Sequence, residues 1–166
     1  IPFQNLTAEI NQSTMKLNWL TLKFSGYSAN LEIPFRKEYY IASLPINRAA
    51  MFIGAFFYAL FGILDALLMP EQKSTIWLIR YGVVTPAMVA VLVFSYTAFF
   101  KRCFNPLMAG VSVLAGGGII WMVIIAPPPI NYSYYAGILL VFIWTYTLIR
   151  IPFLWACLAA WVQVVL

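Results

Sequence analysis

Histidine is absent from this chain of 166 residues, and charged residues make up only 9% of it. The missing imidazole removes the usual ligand of haem, the commonest ligand of metal ions and the usual general base of enzymes. The five acidic residues form no close pair that would suit acid–base catalysis. The composition therefore argues against redox and hydrolytic chemistry in this part of the protein.

Cysteines and phosphate-binding motifs are just as scarce. Cys103 and Cys157 share neither a loop nor the spacing of a metal site, so we expect neither a disulfide nor a zinc centre. Three consecutive glycines at 116–118 lie in an apolar run that lacks the Lys and Ser/Thr of a P-loop. The net charge is +5, but the basic residues form no stripe suited to nucleic acid. We expect no cofactor, no metal and no nucleic-acid partner.

The sequence is instead rich in apolar residues. Hydrophobic residues make up 63% of the chain, and the charged fraction is far below the ~25% that is typical of soluble domains. The segment 49–70 is apolar except for Asp65. At about 1.5 Å per helical residue it is long enough to cross a bilayer core of roughly 30 Å. The sequence therefore predicts an all-α fold, a polytopic bundle of transmembrane helices in contact with membrane lipid.

Five membrane spans are visible in the sequence. The last covers only about 22 Å as a helix, which predicts that the natural chain continues into a sixth span. Pro86 should kink the second span, a defect that neighbouring helices or Thr85 can absorb. The predicted spans are 49–69, 75–100, 106–126, 134–149 and 152–166.

Residues 1–47 are more polar and form a separate segment before the membrane domain at 48–166. Between two prolines, residues 35–44 have the pattern of a short amphipathic helix at the membrane surface, with Arg36 and Lys37 facing headgroups. The alternative is an ordered loop packed on the domain.

The basic residues also predict the orientation in the membrane. Eight of the ten Lys and Arg residues fall on one side of the predicted bundle, including Lys101 and Arg102 in the loop before the third span. Because basic residues favour the cytoplasmic side, we expect a multi-pass membrane protein with its amino terminus in the cytoplasm.

Asp65 and Arg80 are the only ionisable residues set clearly within apolar stretches. Adjacent antiparallel helices would bring them to a similar depth in the membrane. They would then be either a ligand or sensor site, or a structural pair that locks the two helices together, and the structural interpretation is favoured. A transporter is expected to carry more such groups within its spans.

Small residues mark two helices for close packing. Gly54 lies in the first span, and Ser112, Gly116, Gly117 and Gly118 lie in the third. Small side chains let a second helix approach closely, and consecutive glycines within a helix indicate close packing or a hinge. We favour packing, either against another helix of the same bundle or against a second copy of the chain.

The order of several short motifs resembles a known bacterial module. The motifs are LTLKFS at 20–25, FGxxDAL at 61–67, WLIRxxVV at 77–84 and APPP at 126–129. In this order they resemble the six-helix membrane domain that precedes the catalytic domain of bacterial and cyanobacterial class III adenylate and guanylate cyclases. The resemblance covers residues 20–166. It implies that a sixth span, a linker and a dimeric cytoplasmic cyclase domain follow, so that every catalytic and metal-binding residue lies beyond Leu166.

The resemblance therefore implies a membrane-anchoring, dimerising and signal-sensing domain of a nucleotide cyclase, in the inner (plasma) membrane or another internal membrane of a bacterium. The expected partners are membrane lipid and a second copy of the chain, or a larger membrane complex. The alternative is an accessory structural subunit of such a complex.

Overall fold

The computed structural model describes residues 16–17, 24–25 and 32–166. Two short strands, β1 (Lys16–Leu17) and β2 (Phe24–Ser25), pair antiparallel with Lys16 opposite Ser25. Within the described residues five helices follow, which makes the fold all-α apart from this strand pair. They are α1 (Glu32–Leu68), α2 (Lys73–Phe94), α3 (Phe100–Ile125), α4 (131–148) and α5 (Phe153–Val165).

The chain divides into two compact units, 1–42 and 43–166. In the first unit, the described part consists of the strand pair and the first turns of α1. Phe35 stacks on Tyr39 there, with ring centroids 6.1 Å apart, and Arg36 and Lys37 are exposed. Their exposure is compatible with the predicted headgroup contact, which stays a prediction.

The prediction of a separate surface helix at 35–44 is wrong in one respect. These residues are helical, but the helix does not end before Pro45; α1 runs through it to Leu68. A proline removes one backbone hydrogen bond, and this loss is tolerated where the flanking residues keep the helical conformation. With 37 residues, α1 is about 55 Å long at the usual helical rise, well beyond the thickness of a bilayer core.

The second helix changes its winding before Pro86. Residues Leu78–Val84 form a π-helical stretch, and α-helical geometry resumes at Thr85. A proline donates no backbone hydrogen bond and its ring crowds the carbonyl four residues earlier, and a wider π turn can accommodate that crowding. The predicted help from Thr85 is not seen, since its buried hydroxyl has no hydrogen-bond partner among the described residues.

The core of the second unit is built around α3. This helix packs against α2, α4 and α5, and it is the most buried of the three longest helices. Its buried side chains recur every three or four residues, the spacing that places them on one face. They include Phe104, Met108, Val111, Ala115, Ile119 and Met122. The glycines at 116–118 lie within α3, which is a continuous helix from residue 100 to residue 125.

Three helices, α1, α2 and α3, are long and apolar enough to cross a membrane. Helix α5 is apolar but shorter, and α4 ends in a π-helical stretch at Trp144–Leu148. Large apolar side chains are exposed around the outside of the bundle, where lipid rather than water would be the suitable solvent. Examples are Phe52, Phe56, Leu67, Val93, Leu139 and Trp161. These features indicate a multi-pass membrane protein.

Candidate functional site

A buried ion pair joins the first two helices of the bundle. Arg80 Nε donates to Asp65 Oδ2 at 2.7 Å, and both residues are only 3% exposed. Asp65 points inward because it lies on the same stripe of α1 as the buried residues Met51, Ala55 and Tyr58. The structure thus brings together the two ionisable residues that the sequence predicts to be neighbours.

The cluster has a third member that the sequence analysis missed. The hydroxyl of Tyr134, in the first turn of α4, donates to Asp65 Oδ1 at 2.7 Å. Tyr134 lies at the start of the predicted fourth span and is only 8% exposed. The one available signal was that a buried carboxylate needs donors for both oxygens, and a single arginine nitrogen serves only one.

The remaining contacts of Arg80 tie α2 to the backbone of α1. Its Nη1 donates to the carbonyl of Tyr58 at 2.6 Å, and its guanidinium carbon lies 4.8 Å from the centre of the Tyr58 ring. Its Nη2 reaches the sulfur of Met122 on α3 at 3.5 Å. The arginine therefore contacts two other helices as well as pairing with a carboxylate.

Two aromatic side chains extend this contact between α1 and α2. Trp77 Nε1 donates to the carbonyl of Gly62 at 2.9 Å, and the Tyr81 hydroxyl donates to the carbonyl of Ala59 at 2.6 Å. Gly62 also lies directly against the Tyr81 hydroxyl, where a side chain would collide. Backbone carbonyls of α1 therefore accept hydrogen bonds from side chains along α2.

Four of the five small residues predicted to pack helices, Gly54, Ser112, Gly116 and Gly118, lie against neighbours inside the bundle or are buried there. A Cβ on Gly116 would come within 2.6 Å of the Gln163 side chain, and one on Gly118 within 2.7 Å of the Tyr58 hydroxyl. Gly117 differs, since its nearest neighbour would lie at 3.9 Å. The glycines at 116 and 118 thus face neighbours within the same chain.

Ser112 is fully buried one turn earlier on α3. Its carbonyl accepts a hydrogen bond from Gln163 Nε2 of α5 at 2.6 Å, and its hydroxyl donates to the carbonyl of Met108 at 3.1 Å. The close approach of Gln163 requires the absence of a side chain at Gly116. This contact between α3 and α5 was not predicted.

Polar contacts that the sequence analysis also missed lie near the start of the second unit. The Asn47 side chain exchanges two hydrogen bonds with the backbone of Arg150, at 2.7 and 3.2 Å. Arg48 donates to the hydroxyl of Ser95 at 3.0 Å and to its carbonyl at 2.6 Å, and its guanidinium carbon lies 3.9 Å from the centre of the Tyr96 ring. These contacts join α1 to the ends of α2 and α4.

The other predicted positions lie away from the cluster. Lys101 and Arg102 are exposed in the first turn of α3, and both cysteines are free thiols. In the described part of the chain, no group of three or more metal-ligating side chains comes together.

A cleft adjoins the polar cluster between α1 and α4. Its volume is about 590 Å³. Two side chains of α4 bridge to α1 along it: Tyr134 through Asp65, and Trp144, whose indole N–H donates to the carbonyl of Ala50 at 2.9 Å. The Trp144 ring lies against Gly54, where a Cβ would come within 2.7 Å of it. The cleft has Asp65 and Arg80 in its wall near one bridge, and apolar side chains line most of the rest.

No family model, curated protein or solved structure matches this chain.

Proposed function

We propose that this chain is the membrane-anchoring, dimerising and signal-sensing domain of a nucleotide cyclase. The supporting observation is that residues in or near three of the motifs that carry the cyclase resemblance meet at one buried site. Asp65 belongs to FGxxDAL, Arg80 belongs to WLIRxxVV, and Tyr134 follows the APPP motif. A shared three-dimensional role gives a physical reason for these stretches to occur together.

In this proposal all five helices are membrane spans, and a sixth follows them. The amino terminus lies in the cytoplasm, as the distribution of basic residues favours. The Asp65 and Arg80 cluster then lies towards the outer face, and the cyclase domain follows the sixth span on the cytoplasmic side. The domain contributes no catalytic residue and acts by holding two catalytic domains together.

The alternative is an accessory subunit of a larger membrane complex. Helix α5 carries strongly exposed apolar side chains at Trp161, Val164 and Val165, a face that a neighbouring membrane helix would cover as well as lipid does. The two functions differ in what the rest of the gene encodes.

The test begins with the coding sequence beyond Leu166 and continues with the full-length protein in washed membranes. We expect a cyclase domain there, formation of cyclic AMP or cyclic GMP from the corresponding triphosphate, and a cross-linked dimer. A matched protein without residues 1–166 should lose most of this activity, because in the resembled family the catalytic sites form between two catalytic domains. A stop codon soon after a sixth helix would reject the cyclase proposal and favour the accessory subunit.

A further inference from the structure

We propose that the cleft between α1 and α4 binds a neutral single-chain lipid with a hydroxyl or carbonyl head group. The head lies against Arg80 and Asp65, and the chain runs along the cleft towards Trp144. The site is a property of the helical domain itself and does not depend on the cyclase proposal.

The dimensions of the cleft suit such a ligand. Its volume of about 590 Å³ lies within the range of roughly 300–1,000 Å³ that is usual for small-molecule sites. The two bridges from α4 reach α1 near Asp65 and near Gly54, eleven positions apart, which corresponds to about 16 Å along a helix. That length matches about half of a bilayer core of roughly 30 Å. A chain lying in one leaflet would therefore fit between the bridges.

The walls of the cleft favour a hydrocarbon chain. Between the two bridges they are formed by aromatic and aliphatic side chains of α1 and α4, including Phe57, Phe61, Ala136 and Leu140. A chain here would gain contact with protein side chains along its length. Unlike a convex helix surface, the cleft surrounds its occupant from two helices.

The polar end of the cleft selects the head group. Arg80 has five N–H groups, and its hydrogen bonds to Asp65, Tyr58 and Met122 use three of them. In the part of the chain that the structure describes, the other two have no protein acceptor. Each carboxylate oxygen of Asp65 can also accept more than one hydrogen bond. A hydroxyl could accept from Arg80 and donate to Asp65, whereas a carbonyl could accept from Arg80.

Charge argues for a neutral head and against an anionic one. Asp65 and Arg80 already neutralise each other at 2.7 Å in a buried setting. An added carboxylate or phosphate would leave a net negative charge in a medium of low dielectric constant, next to the Asp65 carboxylate. A phospholipid would also have to place its phosphate and a second chain in a site sized for one. These costs favour a single-chain lipid without charge.

The experiment uses photolabelling of the protein in phosphatidylcholine nanodiscs with hexadecanol that carries a diazirine. We expect the label to map to residues 53–68 and 133–148, and unlabelled hexadecanol to compete for it. Hexadecyl phosphate, with the same chain and an anionic head, should compete at least about tenfold less well, a ratio that corresponds to ~1.4 kcal/mol of binding free energy. Equal competition by the two compounds would reject the neutral head group.

Matched variants test the location of the site. Ala136 lies in the cleft wall and is exposed, so Ala136→Phe should fill the cleft without disturbing the core, and Leu140→Trp provides a second filling change. The control is Ala90→Phe, at an exposed position of α2 outside the cleft. We expect labelling to fall about tenfold or more in both filling variants, which again corresponds to ~1.4 kcal/mol of binding free energy. Labelling of the control should stay unchanged. Labelling spread evenly over the lipid-facing helices, or unaffected by either filling variant, would show that bulk lipid occupies the cleft without specific binding and would reject the site.

Discussion

Replacing Asp65 by alanine should destabilise the domain more than any other single loss of a polar contact in the bundle. The carboxylate accepts hydrogen bonds at 2.7 Å from both Arg80 and Tyr134. Its removal leaves the guanidinium, which is 3% exposed, buried without a counter-ion. Breaking a buried pair in this way costs about 3–5 kcal/mol of unfolding free energy. An ordinary hydrogen bond between membrane helices contributes only ~0.6 kcal/mol on average, so the stranded charge dominates the effect.

The assay is unfolding of the purified protein in detergent by added SDS, followed by circular dichroism. Glu71→Gln at an exposed position is the control and should stay within about 0.5 kcal/mol of the wild type. The double change of Asp65→Leu with Arg80→Met removes both charges and should recover most of the loss, because no unpaired ion remains. It should not recover all of it, since the hydrogen bond from the Tyr134 hydroxyl to Asp65 and the one from Arg80 to the Tyr58 carbonyl are both lost.

The charge swap of Asp65→Arg with Arg80→Asp is a further test of the structural role of the pair. The swap keeps an ion pair but places a carboxylate at position 80. In the wild type the Tyr58 carbonyl accepts a hydrogen bond from Arg80, and a carboxylate there cannot donate one. We therefore expect only partial recovery, less than in the apolar double variant. Two results would refute this reasoning: an Asp65→Ala protein within about 0.5 kcal/mol of the wild type, or an apolar double variant no more stable than Asp65→Ala alone.

Two other predictions concern orientation and packing. Reporter fusions after Lys101 should report the cytoplasm, and fusions after Lys73 or Asn131 should report the outside; the reverse pattern would overturn the proposed topology and the cyclase proposal with it. Gly118→Leu should cost about 1–3 kcal/mol in the SDS assay, because a Cβ there would come within 2.7 Å of a tyrosine hydroxyl. Gly117→Leu should unfold like the wild type, since the nearest neighbour of its Cβ would lie 3.9 Å away. If it instead converts a cross-linked dimer to monomers, Gly117 lies between two copies of the chain.

The sequence predicted the features that depend on composition and on neighbours along the chain. The length and hydropathy of the run beginning at residue 49 were enough to identify a helix suited to lipid. The meeting of Asp65 and Arg80 was also predictable, because a short turn forces two successive helices to run antiparallel. Local chemistry did not settle every boundary. Pro45 predicted a break that α1 does not have, because whether a helix tolerates a proline depends on the residues around it.

Only the tertiary structure decided which distant polar groups meet. Tyr134 is 69 positions from Asp65, Gln163 is 51 from Ser112, and the Asn47 side chain bonds a backbone group 103 positions away. Each contact depends on the order of the helices in the bundle and on the rotation of each helix about its axis. Hydropathy does not determine that rotation when most faces of a helix are apolar. The cleft has the same origin. It exists because Trp144 and Tyr134 bridge two helices whose intervening side chains do not fill the space between them.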